Sequence, residues 1–239
     1  MGVAGHLSAG SERAVVRFVG QGIAWPMVFA VVFMAMVIST FRWWDLGFSA
    51  FSVRTALKLS WLPMVYLAAL GVLIAIVGLP PLRSAIFIGI NTVFVGMSEE
   101  VMFRGILFAG LRSKLRLWPS LWVCCGLFGF IHVLNALSTG QWTVATLQAM
   151  AAFQTGFMLM ALRLRTGSLY PVILLHAVWD CSLLLVASHT GGGSPNQPLP
   201  AYAFVAPLFL LPNFLYALYL LRSKGLAKIK RSVALSTPI

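Results

Sequence analysis

Charged residues are scarce in this chain of 239 residues, since they make up 9% of the sequence and only five are Asp or Glu. Soluble globular domains carry roughly 25% charged residues, so the composition excludes an ordinary water-soluble fold. Apolar residues take the place of charge, because 60% of the chain is hydrophobic and the mean hydropathy is +0.92. The sequence therefore predicts a protein whose main solvent is the lipid bilayer.

Cysteine is also scarce, and the three present are Cys124, Cys125 and Cys181. They are odd in number, lie within apolar runs and show no CxxC spacing, which argues against a disulfide framework or a cysteine-based zinc site. We expect them to be packing residues. The first apolar run starts near Ile23 without a small-residue cleavage site, so a removable signal peptide is not expected, and no internal repeat is visible.

Long apolar runs recur along the chain. A bilayer core needs about 20 such residues per helix, and runs of this kind lie near residues 22–40, 60–79, 85–111, 118–137, 142–162, 168–188 and 201–221. Residues 7–20 could form an interfacial helix or one more span, and 80–81 and 191–200 indicate turns. The predicted fold is all-α, a single integral membrane domain over 1–239 with seven or eight transmembrane helices and an intramembrane cavity.

The formal charge of +12 would suggest a nucleic-acid partner in a soluble protein. Here the basic residues fall mostly in short loops, where they set orientation and meet lipid headgroups, so we expect the bilayer and no nucleic acid. One side collects Arg42, Arg54, Lys58, Arg112, Lys114, Arg116, Arg163, Arg165, Arg222, Lys224, Lys228, Lys230 and Arg231. This bias predicts an inner or plasma membrane protein with its N-terminus outside and its C-terminus in the cytoplasm.

Three of the five acidic residues fall inside predicted spans: Glu99, Glu100 and Asp180. An ionisable group at bilayer depth costs at least about 2.5–3.5 kcal/mol and by default has a partner or a function. Residues i and i+4 share a helix face, so Glu100 and Arg104 are expected to form an ion pair. Glu99 points elsewhere, which leaves it free to face a cavity and act as a general base.

Two histidines also lie at membrane depth, His132 and His176. His132 shares a helix face with Phe128, and His176 shares one with Asp180. If the three helices pack together, one cavity could hold Glu99, His132, His176 and Asp180. Plainer readings stay open, because an intramembrane histidine is often only a hydrogen-bond donor between helices, the pair of Glu100 and Arg104 could be structural, and Phe128 could be a packing residue.

Three short motifs together suggest a family. EEVMFR at residues 99–104 fits EExxxR, FGFIH at 128–132 fits FxxxH, and HAVWD at 176–180 is similar to HxxxN or its HxxxD variant. In this order on separate apolar helices, the chain resembles the CPBP group, also called the ABI family, of CAAX-processing endopeptidases and bacteriocin-processing or self-immunity proteins. The resemblance covers roughly residues 85–188, whereas the first two spans and the last add no motif.

The resemblance implies an intramembrane endopeptidase of the glutamic type, in which Glu99 and His132 activate the attacking water. His176 and the residue at position 180 would then stabilise the oxyanion, with Glu100 and Arg104 in support. Asp180 departs from the amide that is common at its position. Since an ionised aspartate cannot donate a hydrogen bond, Asp180 would be protonated, or it would orient a protonated His176 as a triad acid does. We favour the second reading.

The substrate implied is a membrane-associated or lipidated protein or peptide, such as a prenylated peptide, a bacteriocin leader or a C-terminal anchor segment. No cofactor is expected, although Glu99, His132 and His176 would supply three ligands if the enzyme used zinc. Two other functions remain open. Mid-membrane carboxylates and histidines also build proton-coupled transporters, and a catalytically silent immunity or scaffold protein would keep the same helical core.

Overall fold

The computed structural model of the protein describes residues 19–190 and 201–222. These residues form helices with no strand among them, which confirms the predicted all-helical class. Most of the predicted segment 7–20 and all of the predicted turn 191–200 lie outside the described residues.

The helices follow one another along the chain with short connections. They are α1 (Trp25–Phe41), α2 (Val53–Leu59), α3 (Trp61–Val77), α4 (Leu82–Glu100), a π-helical segment (Val101–Leu107), α5 (Phe108–Lys114), α6 (Leu117–Val133), α7 (Asn135–Thr139), α8 (Trp142–Thr166), α9 (Tyr170–Thr190) and α10 (Ala201–Arg222). The predicted turn at Pro80 and Pro81 separates α3 from α4, as expected because proline cannot continue a helix interior.

Each predicted span coincides with one helix or with consecutive helical segments, but not all of the helices are long enough to cross a bilayer. Within the described ranges, five helical stretches pass by length and composition, namely Leu82–Lys114, Leu117–Leu137, Trp142–Thr166, Tyr170–Ser188 and Val205–Arg222. A sixth is gained if α2 and α3, bent by 76° at their junction, count as one broken span. The apolar α1 is shorter, with 17 residues. The predicted count of seven or eight transmembrane helices therefore depends on counting helices that are shorter or more bent than the spans expected from the sequence.

Two glycines set how closely the central helices approach. A Cβ on Gly96 of α4 would lie 3.0 Å from the Ile173 carbonyl oxygen and 3.2 Å from the Ala177 nitrogen, both in α9. A Cβ on Gly129 of α6 would lie 2.8 Å from the Ala149 carbonyl oxygen in α8. Small residues of this kind let membrane helices pack backbone to backbone. The helix that carries the paired glutamates is thereby brought against the helix that carries His176 and Asp180.

The main apolar core lies where α8 packs between α6 and α10. Cys124 and Cys125 are buried in it together with Leu121, Phe157 and Met160. Both cysteines are free, as is the partly exposed Cys181. The burial of the first two fits the packing role expected for them.

Candidate active site

The paired glutamates stand at the C-terminal end of α4 and differ in their surroundings. The Glu100 side chain is 0% exposed, and its Oε1 lies 2.8 Å from Arg104 Nη1. The expected ion pair is therefore present. The backbone that leads from Glu100 to Arg104 differs from the expected α-helix, since the chain is π-helical over Val101–Leu107. Such π-helical turns are rare in proteins, but many of those that do occur lie at functional sites.

Arg104 is held on several sides besides Glu100. Its guanidinium carbon lies 3.9 Å from the centre of the Phe128 ring, a cation–π contact, and its Nη2 donates to the Gly156 carbonyl oxygen at 3.4 Å. A Cβ on Gly156 would lie 3.2 Å from Arg104 Nη2 and 3.1 Å from Phe128 Cδ1. Glycine at position 156 thus leaves the space that the guanidinium and the Phe128 ring occupy.

His176 on α9 connects the three intramembrane carboxylates. Its Nδ1 lies 2.7 Å from Glu100 Oε1, its Nε2 lies 3.3 Å from Asp180 Oδ2, and the same Nε2 lies 3.8 Å from Glu99 Oε2. The contact with Asp180 follows the i, i+4 spacing expected from the sequence. Sequence reasoning missed the contact between His176 and Glu100, because it joins two helices and no spacing rule reaches across helices.

The side chains of Glu99 and Asp180 are partly exposed, whereas that of Glu100 is fully buried. The side chains of Glu99 and Asp180 are 32% and 30% exposed. Glu99 Oε2 has no hydrogen-bond partner within the described parts of the chain. Glu100 is thus enclosed with Arg104, whereas Glu99 is partly exposed beside His176. Each carboxylate keeps one oxygen without a hydrogen-bond partner among the described residues, Oε2 in both cases.

His132 on α6 is joined to the same site through its contacts with Phe128. Its Nδ1 is 2.8 Å from the Phe128 carbonyl oxygen, and its ring stands edge-on to the Phe128 ring with centroids 5.1 Å apart. The Phe128 ring in turn lies 6.0 Å from the His176 ring. A carbonyl can only accept, so in a neutral imidazole Nδ1 carries the proton and Nε2 is left as an acceptor. Phe128 is 2% exposed and packs among Arg104 and both histidines.

A cavity of about 410 Å³ opens on this group, within the roughly 300–1,000 Å³ that is usual for ligand pockets. His132, His176, Asp180 and Phe128 line it, and the rest of its wall is mostly apolar. Glu99, which was expected to face the same cavity, is not among the lining residues. The apolar wall comes largely from helices without motifs, through Pro63, Tyr66, Leu70 and Leu73 of α3 and Ala206, Phe209 and Leu210 of α10. Sequence reasoning missed this contribution, because apolar residues of a membrane helix look alike whether they face lipid or a cavity.

The described side chains show no ready-made group of metal ligands. Across the described ranges, no three His, Cys, Asp or Glu side chains lie so that they could hold a metal ion together. Glu99, His132 and His176, the ligand set that a zinc enzyme would use here, thus lack the geometry of a three-ligand site. The carboxylates of this site instead face Arg104 and His176.

The fold and the site together define a class, a polytopic helical membrane protein with carboxylates and histidines clustered at an apolar cavity. The family model described as "Type II CAAX prenyl endopeptidase Rce1-like" matches residues 81–182. This match confirms the predicted resemblance to the CPBP group over these residues and indicates a peptidase. Neither a curated protein nor a solved structure matches the chain. The matched residues begin just before α4 and end within α9, so they include every motif residue of the site.

Proposed function

We propose that the protein is an intramembrane endopeptidase that hydrolyses a peptide bond near the membrane in a membrane-associated or lipidated protein or peptide. The observation that carries the proposal is the position of His176, which lies between buried Glu100 and open Asp180 at the wall of an apolar cavity. The family match over residues 81–182 supports the same reaction class. An apolar cavity at membrane depth suits a substrate that already lies in or on the bilayer.

His176 is the group that stabilises the oxyanion in this proposal. Both of its ring nitrogens face carboxylate oxygens, and an imidazolium can donate at both positions. Glu100 holds the Nδ1 side, and Arg104 in turn holds Glu100. Nε2–H, which faces Asp180 Oδ2 at 3.3 Å, is then shared between Asp180 and the carbonyl oxygen of the substrate as negative charge develops on that oxygen, the usual role of a donor placed in a site of low dielectric.

Glu99 and His132 activate the water. Glu99 takes a proton as the water oxygen attacks the peptide carbonyl carbon, and the tetrahedral intermediate then breaks its C–N bond. The proton passes from Glu99 to the leaving amine, so that a carboxylic acid and an amine are released and Glu99 is restored. His132 offers its free Nε2 as an acceptor that orients the water. General bases of this kind contribute about 10²–10⁴-fold in rate.

The experiment compares the peptides of host membranes that contain the wild-type protein with those that contain Glu99→Gln. A membrane-bound precursor should accumulate with Glu99→Gln, and its cleaved products should disappear. The matched control is Asp45→Asn, which makes the same acid-to-amide change in a loop between α1 and α2 and should leave the profile unchanged. Identical profiles for the wild type and Glu99→Gln would contradict a protease function and favour a catalytically silent protein.

We also propose that the hydrolysis needs no metal. Treatment of the purified protein with a chelator should change the cleavage rate little, and later addition of zinc should give no further increase. The proposal agrees with the lack of a three-ligand group among the described side chains. Inhibition that zinc reverses would replace the glutamic mechanism with a metal one.

A further inference from the structure

The cavity wall carries polar groups outside the motif residues, and most of them are already engaged. The Tyr66 hydroxyl donates to the Phe209 carbonyl oxygen at 2.8 Å, and the Thr155 hydroxyl donates to the Ala151 carbonyl oxygen at 3.0 Å. Gln148 Oε1 accepts from the Asn135 amide at 3.0 Å. These contacts within the protein satisfy the two hydroxyl donors and the amide oxygen, which therefore need no ligand.

Asn213 of α10 differs from these residues. It lines the same cavity as His132, His176 and Asp180, it is only 2% exposed, and its Oδ1 has no hydrogen-bond partner in the described parts of the chain. A buried polar atom without a partner destabilises the fold unless something else supplies the bond. Because Asn213 lines the cavity, a ligand bound there can supply this bond.

The chemistry of the cavity narrows the class of that ligand. A hydrocarbon chain would fill the apolar wall but would leave the Asn213 amide unpaired. A peptide backbone offers both a donor N–H and an acceptor C=O, so it can pair with either end of the amide. A backbone in a regular helix has already used these groups within itself, so the matching ligand is a peptide segment that is not helical.

We propose that Asn213 is a substrate-binding residue, whose amide pairs with a backbone amide of an unwound peptide segment while the apolar side chains of that segment fill the cavity. This inference rests on the proposed function and adds that the peptide substrate binds in a non-helical conformation. It also gives α10, which lies outside the family-matched residues 81–182, a direct part in substrate recognition.

The test measures binding in a Glu99→Gln background, so that no result depends on cleavage. The probes are N-acetyl-leucyl-leucinamide and its counterpart in which an ester replaces the central amide, titrated by calorimetry into protein held in lipid nanodiscs. Asn213→Leu should weaken binding of the amide probe about tenfold, the effect of losing one or two buried hydrogen bonds. It should also abolish the preference for the amide probe over the ester probe.

Thermal unfolding separates this role from a structural one. Asn213→Leu should unfold at the same or a higher temperature, because it replaces an unpartnered buried amide by an apolar group of similar shape. The matched control is Gln154→Met, since Gln154 Oε1 is also buried without a partner in the described residues but Gln154 is not among the residues lining the cavity. It should leave the affinity for both probes unchanged.

Three outcomes would overturn the inference. They are an unchanged affinity in Asn213→Leu, equal affinity of the Glu99→Gln protein for the two probes, and a loss of thermal stability in both Asn213→Leu and Asn213→Ser. The last would identify the amide as a structural partner. None of them depends on turnover, so failure of the wild-type protein to cleave any peptide would contradict the proposed function separately.

Discussion

Glu100 Oε1 is shared by two side chains of the site, Arg104 at 2.8 Å and the His176 ring at 2.7 Å. The sequence indicated only the first of these partners. The second makes Glu100 the carboxylate nearest to His176, whereas Asp180 approaches the other ring nitrogen at 3.3 Å. The two carboxylates therefore face different ring nitrogens of His176, since Glu100 faces Nδ1 and Asp180 faces Nε2.

The paired glutamates should respond differently to the same substitution. Glu99→Gln should abolish cleavage and leave thermal stability nearly intact, because Glu99 is partly exposed and its Oε2 makes no hydrogen bond in the described chain. Glu100→Gln should also lower stability, by about 3–5 kcal/mol, because it leaves Arg104 charged and unpaired in the interior. Thermal unfolding in detergent measures the difference. Equal stability of the two variants would contradict this division of roles.

Asp180→Asn tests the proposal that Asp180 supports a protonated His176. The amide keeps the shape of the side chain but removes the negative charge that faces Nε2 at 3.3 Å, so the cleavage rate should fall strongly. If position 180 instead donates to the oxyanion, the amide donates at least as well as a protonated acid and activity should survive or rise. A steady-state rate on the precursor found with Glu99→Gln decides between the two roles.

At the scale of the helices, the site depends on how closely α4 and α9 approach. Glu99 and Glu100 end the first of these helices, and His176 and Asp180 lie on the second. The contacts of 2.7–3.8 Å between the two sets require the backbone approach that Gly96 permits. A modest separation of the two helices would break the contact between His176 and Glu100 without changing any residue of the site.

Gly96→Ala should therefore lower both stability and activity. Its Cβ would lie 3.0 Å from the Ile173 carbonyl oxygen, and overpacking of this kind costs about 1–3 kcal/mol. Gly89→Ala on the same helix is the matched control, because nothing lies within 4 Å of its added Cβ. The control should be neutral or more stable, since alanine favours a helix over glycine. If the two variants behave alike in unfolding and cleavage assays, close packing does not position the site.

For the whole molecule, the distribution of Lys and Arg predicts the orientation in the membrane. The connection between α5 and α6 is near Arg112, Lys114 and Arg116, whereas the turn before α4 has only Arg83 nearby. Because positive loops stay in the cytoplasm, the α5–α6 connection should be cytoplasmic and the α3–α4 turn should face the other side.

Cysteine labelling can test this orientation in intact cells. Ser113→Cys and Leu79→Cys place thiols at exposed positions next to those two connections, and Cys124 and Cys125 are buried and should react little. An impermeant maleimide should label Leu79→Cys from outside and should label Ser113→Cys only after the cells are opened. The unsubstituted protein measures the background from partly exposed Cys181. Labelling of both thiols from the same side would refute the topology.

The sequence alone determined the helical membrane class, because a chain with 9% charged residues and long apolar runs can satisfy its backbone in lipid only as helices or a closed barrel. Spacing along single helices also determined the pairs of Glu100 with Arg104 and of His176 with Asp180, since i and i+4 share a face. These contacts are local, and local geometry can be read from a linear pattern.

Only the tertiary structure decided which helices meet. The contact of His176 with Glu100 spans 76 positions in sequence, and it exists because Gly96 lets two helix backbones approach. The apolar cavity, its walls from α3 and α10, and the unpartnered amide of Asn213 arise in the same way. An apolar residue in a membrane helix can face lipid, core or cavity at similar cost, so its sequence position does not specify which. Packing between distant helices makes that choice.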